Sequence, residues 1–178
     1  IRGDHSVRAL VITGAGRAFC AGGDVSAMGD KMKLNDGRDR MRLGCDWARE
    51  LMQIEKPVIA AVNGYAFGAG LSIALASDII LCSEKGSFAC SFIGIGLVPD
   101  SSCGWNLPKR IGIGKAKEMA FTGRTVKADE ALAIGLADRI LPPDELMSAA
   151  RELAEKIASG PSYSIGLTKQ LLNRSYEN

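Results

Sequence analysis

Residues 14–24 read GAGRAFCAGGD and directly follow the apolar run Ala9-Leu10-Val11-Ile12. Glycines placed after a strand let a backbone come close to something else. The stretch therefore poses a choice between a phosphate-gripping loop and a backbone cradle for different chemistry. The dinucleotide fingerprint needs G-x-G-x-x-G between a strand and a helix, with an acid about twenty residues on. Here Phe19 stands where the third glycine belongs, and Asp36, near the required offset, lies in a polar stretch and not at a strand end. The fingerprint fails. What remains is Ala21-Gly22-Gly23-Asp24, together with a second small-residue turn, Gly68-Ala69-Gly70, where a strand feeds a helix. Two such turns expose peptide N–H groups with no bulky side chain in the way, as an oxyanion site requires. The second also opens a helix, where unpaired N–H groups favour negative charge. Turns that need glycine for geometry alone fit the same residues equally well.

Working outward, short apolar runs predict strands over residues 7–13, 58–62, 79–82 and 137–141. Helical spacing predicts helices over 38–54, 69–77, 101–111, 115–121, 145–158 and 163–173. Residues 125–134 read as a short strand followed by a capped helix, 14–23 as loop, and 88–93 as strand or extended loop. The alternation of strands with helices predicts an α/β fold with largely parallel strands, and no low-complexity linker divides the chain into more than one domain. Residues 57–77 hold no charged side chain, yet Pro57, Asn63 and the glycines break the run into strand, turn and helix, so no membrane span is expected.

The 178 residues suffice for one domain with a real core. A net charge of +2, with bases and acids intermixed, predicts no nucleic-acid face. Lys109-Arg110 and Lys115/Lys117 read as a solvated helix face. Five cysteines without a C-x-x-C favour a reducing compartment and predict neither a zinc site nor a disulfide framework. His5 is the only histidine, which weakens any His-based triad or metal site. The start, IRGDHSV, reads as neither a signal peptide nor a transit sequence and lacks Met.

Several stretches resemble, in order and at matching spacing, the crotonase family of enoyl-CoA hydratases and isomerases. They are Arg17–Asp24, Pro57–Gly70, Ala76–Ile80, Gly94–Asp100 and Ala131–Ala137. The resemblance runs from about Val7 to Asn173. It implies a crotonase-like spiral of ββα units forming one core domain over residues 1–178. The family's first strand and helix and its last helices have no counterpart, so a chain cut at one or both ends is expected. The resemblance further implies a coenzyme A thioester as substrate, with CoA part of the substrate and no separate cofactor or metal. It implies an oxyanion hole made by the N–H groups of Gly23 and Ala69, and a CoA site lined by Ala21, Gly22, Gly23, Asp24, Val25 and Ala69. Asp24 itself reads as a loop or helix cap. Assembly as a homotrimer or dimer of trimers is implied, in the cytoplasm or, in a eukaryote, the mitochondrial matrix.

Within the family, hydratases deliver water with two glutamates. The matching positions hold Ser72 and Phe92, neither of which can act as that base. One carboxylate remains, Asp100, where some family isomerases, including the ring-epoxide isomerases of phenylacetyl-CoA breakdown, carry a proton-moving acid. A lone carboxylate suits a double-bond shift, because one group can remove a proton and return it to another carbon. Ile95, Leu97, Val98 and Trp105 predict an apolar setting for it. The alternative is that Asp100 caps a helix starting at Ser101. Aryl-CoA dehalogenases also carry this aspartate, but their helper histidine falls near Cys45, where this chain has none. The expectation is thus an acyl-CoA isomerase using Asp100, Gly23 and Ala69. The alternatives are a hydratase with atypical acid/base residues and a non-catalytic CoA-binding subunit.

Overall fold

A computed structural model of the chain describes residues 1–24, 26 and 34–175. Its elements repeat a simple unit of two strands and a helix. The first unit is β1 (Leu10–Thr13), β2 (Ala18–Cys20) and α1 (Leu34–Gln53), and the second is β3 (Val58–Val62), β4 (Tyr65–Phe67) and α2 (Ala69–Ala76). The third is β5 (Ile79–Ser83) and β6 (Ser87–Ala89), followed by a 3₁₀ helix at Ser91–Ile95, α3 (Cys103–Ile111) and α4 (Ile113–Thr122). The chain then runs through β7 (Thr125–Lys127), α5 (Ala128–Ala133), β8 (Arg139–Leu141), α6 (Leu146–Ala158) and α7 (Ser162–Arg174).

Each unit gives its first strand to one sheet and its second to another. The orders are β1-β3-β5-β8, parallel throughout, and β2-β4-β6-β7, parallel except for the β6–β7 pair. This is the ββα spiral, and the α/β expectation with mainly parallel strands holds.

β3 explains why residues 57–77 carry no charge. All five of its residues are buried, so both faces of the strand meet protein. Ile59 and Ala61 pack with Leu81, Leu146 and Ala150 beneath α6. Ala60 and Val62 face the larger core of Phe19, Leu71, Phe88, Leu107 and Met119. α2 is similarly enclosed, with six of its eight residues buried. Among the described residues no helix is long and apolar enough to cross a membrane.

The strand starts are fixed by carboxylates. Asp78 accepts the Val58 N–H at 2.8 Å, and Asp138 accepts the Ile80 N–H at 2.7 Å. Lys169 of α7 reaches Asp78 at 2.8 Å and also donates to the carbonyls of Leu51 and Lys56. Burial pushes the Asp78 carboxyl up and the Lys169 ammonium down, each opposed by the other's charge.

Three expectations change. β2 lies in the stretch read as loop, and β4 occupies residues 65–67, for which no strand is predicted, because three-residue strands are too short to show alternation. Residues 88–93 divide into the end of β6 and a 3₁₀ helix. α3 begins at Cys103 and not at Ser101, because Ser101 and Ser102 take left-handed backbone, with φ of 49° and 68°.

Candidate active site

The opening stretch divides into two halves with different tasks. Asn63 holds the first half: its Oδ1 accepts the Gly14 N–H at 3.1 Å and its Nδ2 donates to the Gly16 carbonyl at 3.0 Å. GAGRA is therefore the turn that carries the chain from β1 into β2.

The second half runs against the start of α2. A Cβ on Gly70 would collide with the Cys20 carbonyl oxygen, so only glycine lets the helix lie this close to β2. Gly22 has φ of +105°, and a Cβ there would stand 3.1 Å from the Phe67 carbonyl oxygen and 3.9 Å from the Ala69 nitrogen. The two small-residue turns singled out in the sequence, Ala21–Asp24 and Gly68–Gly70, thus meet in space.

On the far side of that contact, the Gly68 N–H donates to Ala89 O at 3.0 Å, which ties the turn to β6. α2 then opens at Ala69, and Gly68 offers no side-chain cap. The first N–H groups of a helix have no acceptor within it. Among the described residues neither the Ala69 nor the Gly23 N–H is bonded to a protein acceptor. Both residues reach solvent: Gly23 is exposed and Ala69 half-buried. Ala21 and Asp24 are exposed beside them, and Gly22 is half-buried. The Asp24 Oδ1 accepts the Ser26 N–H at 2.9 Å and its O–H at 2.6 Å, so this carboxylate is engaged in shaping the loop. Val25 lies outside the described residues.

Asp100 arrives from the other side of α2. Its carbonyl oxygen lies 3.3 Å from the Ser72 Oγ, one helical turn from Ala69, and accepts the Cys103 N–H at 2.8 Å. Its carboxylate Oδ1 is buried, and among the described residues no hydrogen-bond donor reaches it. The side chain caps nothing: the residue before α3 is Ser102, and it makes no side-chain cap bond either. A buried carboxylate oxygen without a donor is costly and needs an explanation. The apolar neighbours expected around Asp100 turn out to face solvent. Ile95, Leu97, Val98 and Trp105 are between 43% and 69% exposed, with Ile93 at 49%. They are exposed apolar side chains in the segment before Asp100 and in α3, and do not enclose a pocket.

The two positions matched to hydratase glutamates are both buried. Ser72 is completely enclosed, and Phe92 is packed into the main core. No other carboxylate therefore comes from those places. Behind them, the thiols of Cys90 and Cys103 face each other with sulfurs 4.0 Å apart. The Cys103 thiol is pushed up by its Cys90 neighbour and by burial, while the Cys90 thiol is lowered by the same hydrogen bond. Sequence reasoning singled out Gly22, Gly23, Ala69 and Asp100, and the fold brings their segments around the start of α2. The same reasoning missed the roles of Asn63 and of the Cys90–Cys103 contact, for which the chain carries no local signal beyond the Asn63-Gly64 turn. Among the described residues no three metal-binding side chains converge.

Comparison with known proteins gives a consistent result. The family model described as enoyl-CoA hydratase/isomerase matches residues 1–178. A short-chain-enoyl-CoA hydratase of Clostridium acetobutylicum is 42% identical over 178 residues, which covers 99% of this chain and 68% of that protein. A carnitinyl-CoA dehydratase of Proteus mirabilis is 43% identical over 179 residues, covering 99% and 67%. Among solved structures, an enoyl-CoA hydratase from Bacillus anthracis superposes with a TM-score of 0.95 at 33% identity, over 100% of this chain and 69% of that one.

Proposed function

Because this chain belongs to the enoyl-CoA hydratase/isomerase family, we propose that it shifts a double bond within an acyl-CoA thioester. The thioester oxygen sits between the N–H groups of Gly23 and Ala69. The Asp100 carboxylate takes a proton from C2 of a 3-enoyl-CoA, and the electron pair moves onto the thioester as a dienolate. The same carboxylate, now protonated, delivers the proton to C4, giving the 2-enoyl-CoA. Each backbone donor contributes about 3 kcal/mol to the charged intermediate and the transition states around it. The pantetheine and nucleotide of CoA run past Ala21–Val25.

One observation carries this reading: a buried, donor-less carboxylate oxygen at Asp100 beside the first turn of α2. The replacement of both hydratase glutamates by Ser72 and Phe92 argues in the same direction. The exposed apolar side chains from Ile93 to Val98 suit an acyl chain approaching Asp100. The proposal includes assembly as a homotrimer or dimer of trimers, for which exposed apolar side chains on α4 and α7, such as Phe121 and Leu171, supply surface.

The likeness to a hydratase and a dehydratase favours a second reading, addition or removal of water by a different acid/base set. A panel of 2-enoyl and 3-enoyl thioesters of CoA separates the two. Interconversion of the enoyl isomers, with hydration slower by at least about a hundredfold, is expected. Hydration at the faster rate would replace the isomerase reading, and thioester binding without either reaction would make the chain a CoA-binding subunit.

A further inference from the structure

The Ser72 hydroxyl lies in a place that its sequence position does not explain. Its oxygen is 3.4 Å from Gly68 O, the carbonyl one turn back, and 3.3 Å from the carbonyl oxygen of Asp100, 28 residues ahead. The Gly68 carbonyl already receives the Ser72 backbone N–H at 3.1 Å. A serine hydroxyl has one hydrogen to give. Its use on Gly68 would add little there, whereas its use on Asp100 joins two elements.

The backbone leaving Asp100 is unusual. Ser101 and Ser102 are, among the described residues, the non-glycine positions with positive φ. Such conformations cost energy and persist where the surroundings over-determine them. Three contacts do so here. Ser72 from α2 and the Cys103 N–H from α3 both meet the Asp100 carbonyl. On the third side Ser101 is buried against α1, where a Cβ on Gly44 would stand 2.6 Å from its Oγ. The adjoining Ser102 Oγ accepts from the Asn106 side chain at 3.0 Å. Asp100 is therefore held by its main chain, and its carboxylate Oδ1 is left without a donor.

We propose that Ser72 is a positioning residue: its hydroxyl latches the main chain of Asp100 to the first turn of α2. The same turn begins at Ala69, so the latch fixes the span between the proton carrier and the oxyanion donors. The inference builds on the assignment of Asp100 as proton carrier. It gives Ser72, which cannot move water's protons, a task in the isomerisation.

The test compares Ser72→Ala and Ser72→Cys in the full chain, with Asp100→Asn alongside, on a 3-enoyl-CoA substrate. Ser72→Ala is expected to lower kcat about tenfold, the scale of one lost hydrogen bond, with KM within about twofold. Ser72→Cys keeps a weak donor and is expected to regain part of that loss. A purely structural serine would give no kcat–KM split and no regain. The inference is overturned if Asp100→Asn is inactive while Ser72→Ala keeps full kcat, or if the loss in Ser72→Ala follows a lowered Tm or a KM that rises in parallel. An active Asp100→Asn would instead remove the assignment on which the inference builds.

Discussion

At Gly22 the chain turns with φ of +105° within contact distance of Phe67 O and the Ala69 nitrogen. No other residue takes that backbone without strain, and a methyl group would also press on the turn that opens α2. Gly22→Ala is expected to retain the fold and lower kcat for the isomerisation by about a hundredfold, the scale of one misplaced oxyanion donor. Steady-state kinetics beside a circular dichroism spectrum checks it, and an unaltered kcat would detach this turn from the chemistry. Asp100 presents the complementary case. Its buried Oδ1 has no donor among the described residues, an arrangement that destabilises a fold unless something else is gained. The proposed gain is a carboxylate whose lone pairs remain available for a substrate proton.

At the scale of elements, the proposed site is a meeting of three: the end of β2, the start of α2 and the strap before α3. α2 is held by β2 through Gly70 and by β6 through the Gly68 N–H. Farther out, α7 is pinned to the start of β3 by Lys169 and Asp78. Replacing Lys169 by Met leaves a buried carboxylate without its cation, and a loss of about 3–5 kcal/mol is expected in urea unfolding. Stability within about 1 kcal/mol of the parent would show that the pair contributes little. α6 is legible in the sequence because its apolar positions recur at helical spacing, and β3 and α2 because each is an apolar run bounded by turn residues. β2 and β4 are not, because three residues carry no pattern and their pairing is decided by strands far along the chain. The site follows the same division. Ala69, Gly22 and Gly23 announce themselves as small residues in turns. Asp100 is legible only through the family resemblance, since a carboxylate between a proline and a helix reads equally as a cap. The left-handed serines beside it leave no trace in composition, because serine usually occupies ordinary backbone.

At the scale of the whole molecule, β3 and β5 are the inner strands of the parallel sheet β1-β3-β5-β8, and Cys82 lies completely enclosed within the buried run of β5. Burial pushes its thiol up to about 12 from an ordinary 9.0. Above pH 9 the unfolded chain releases this proton while the folded chain keeps it. The unfolded state then binds fewer protons, and stability falls as the pH rises from about 9 to about 12, by about 4 kcal/mol in full. Denaturant midpoints across that range are expected to fall less steeply in Cys82→Ala, and an identical slope would remove Cys82 as the cause. The account as a whole depends on one group moving one proton at a thioester held by two peptide N–H groups. Its most direct test is the rate at which Asp100→Asn converts a 3-enoyl-CoA to the 2-enoyl isomer, measured beside thioester affinity. A fall of at least about a thousandfold, with affinity within about threefold of the parent, is the expected result. Turnover within about tenfold of the parent would contradict it.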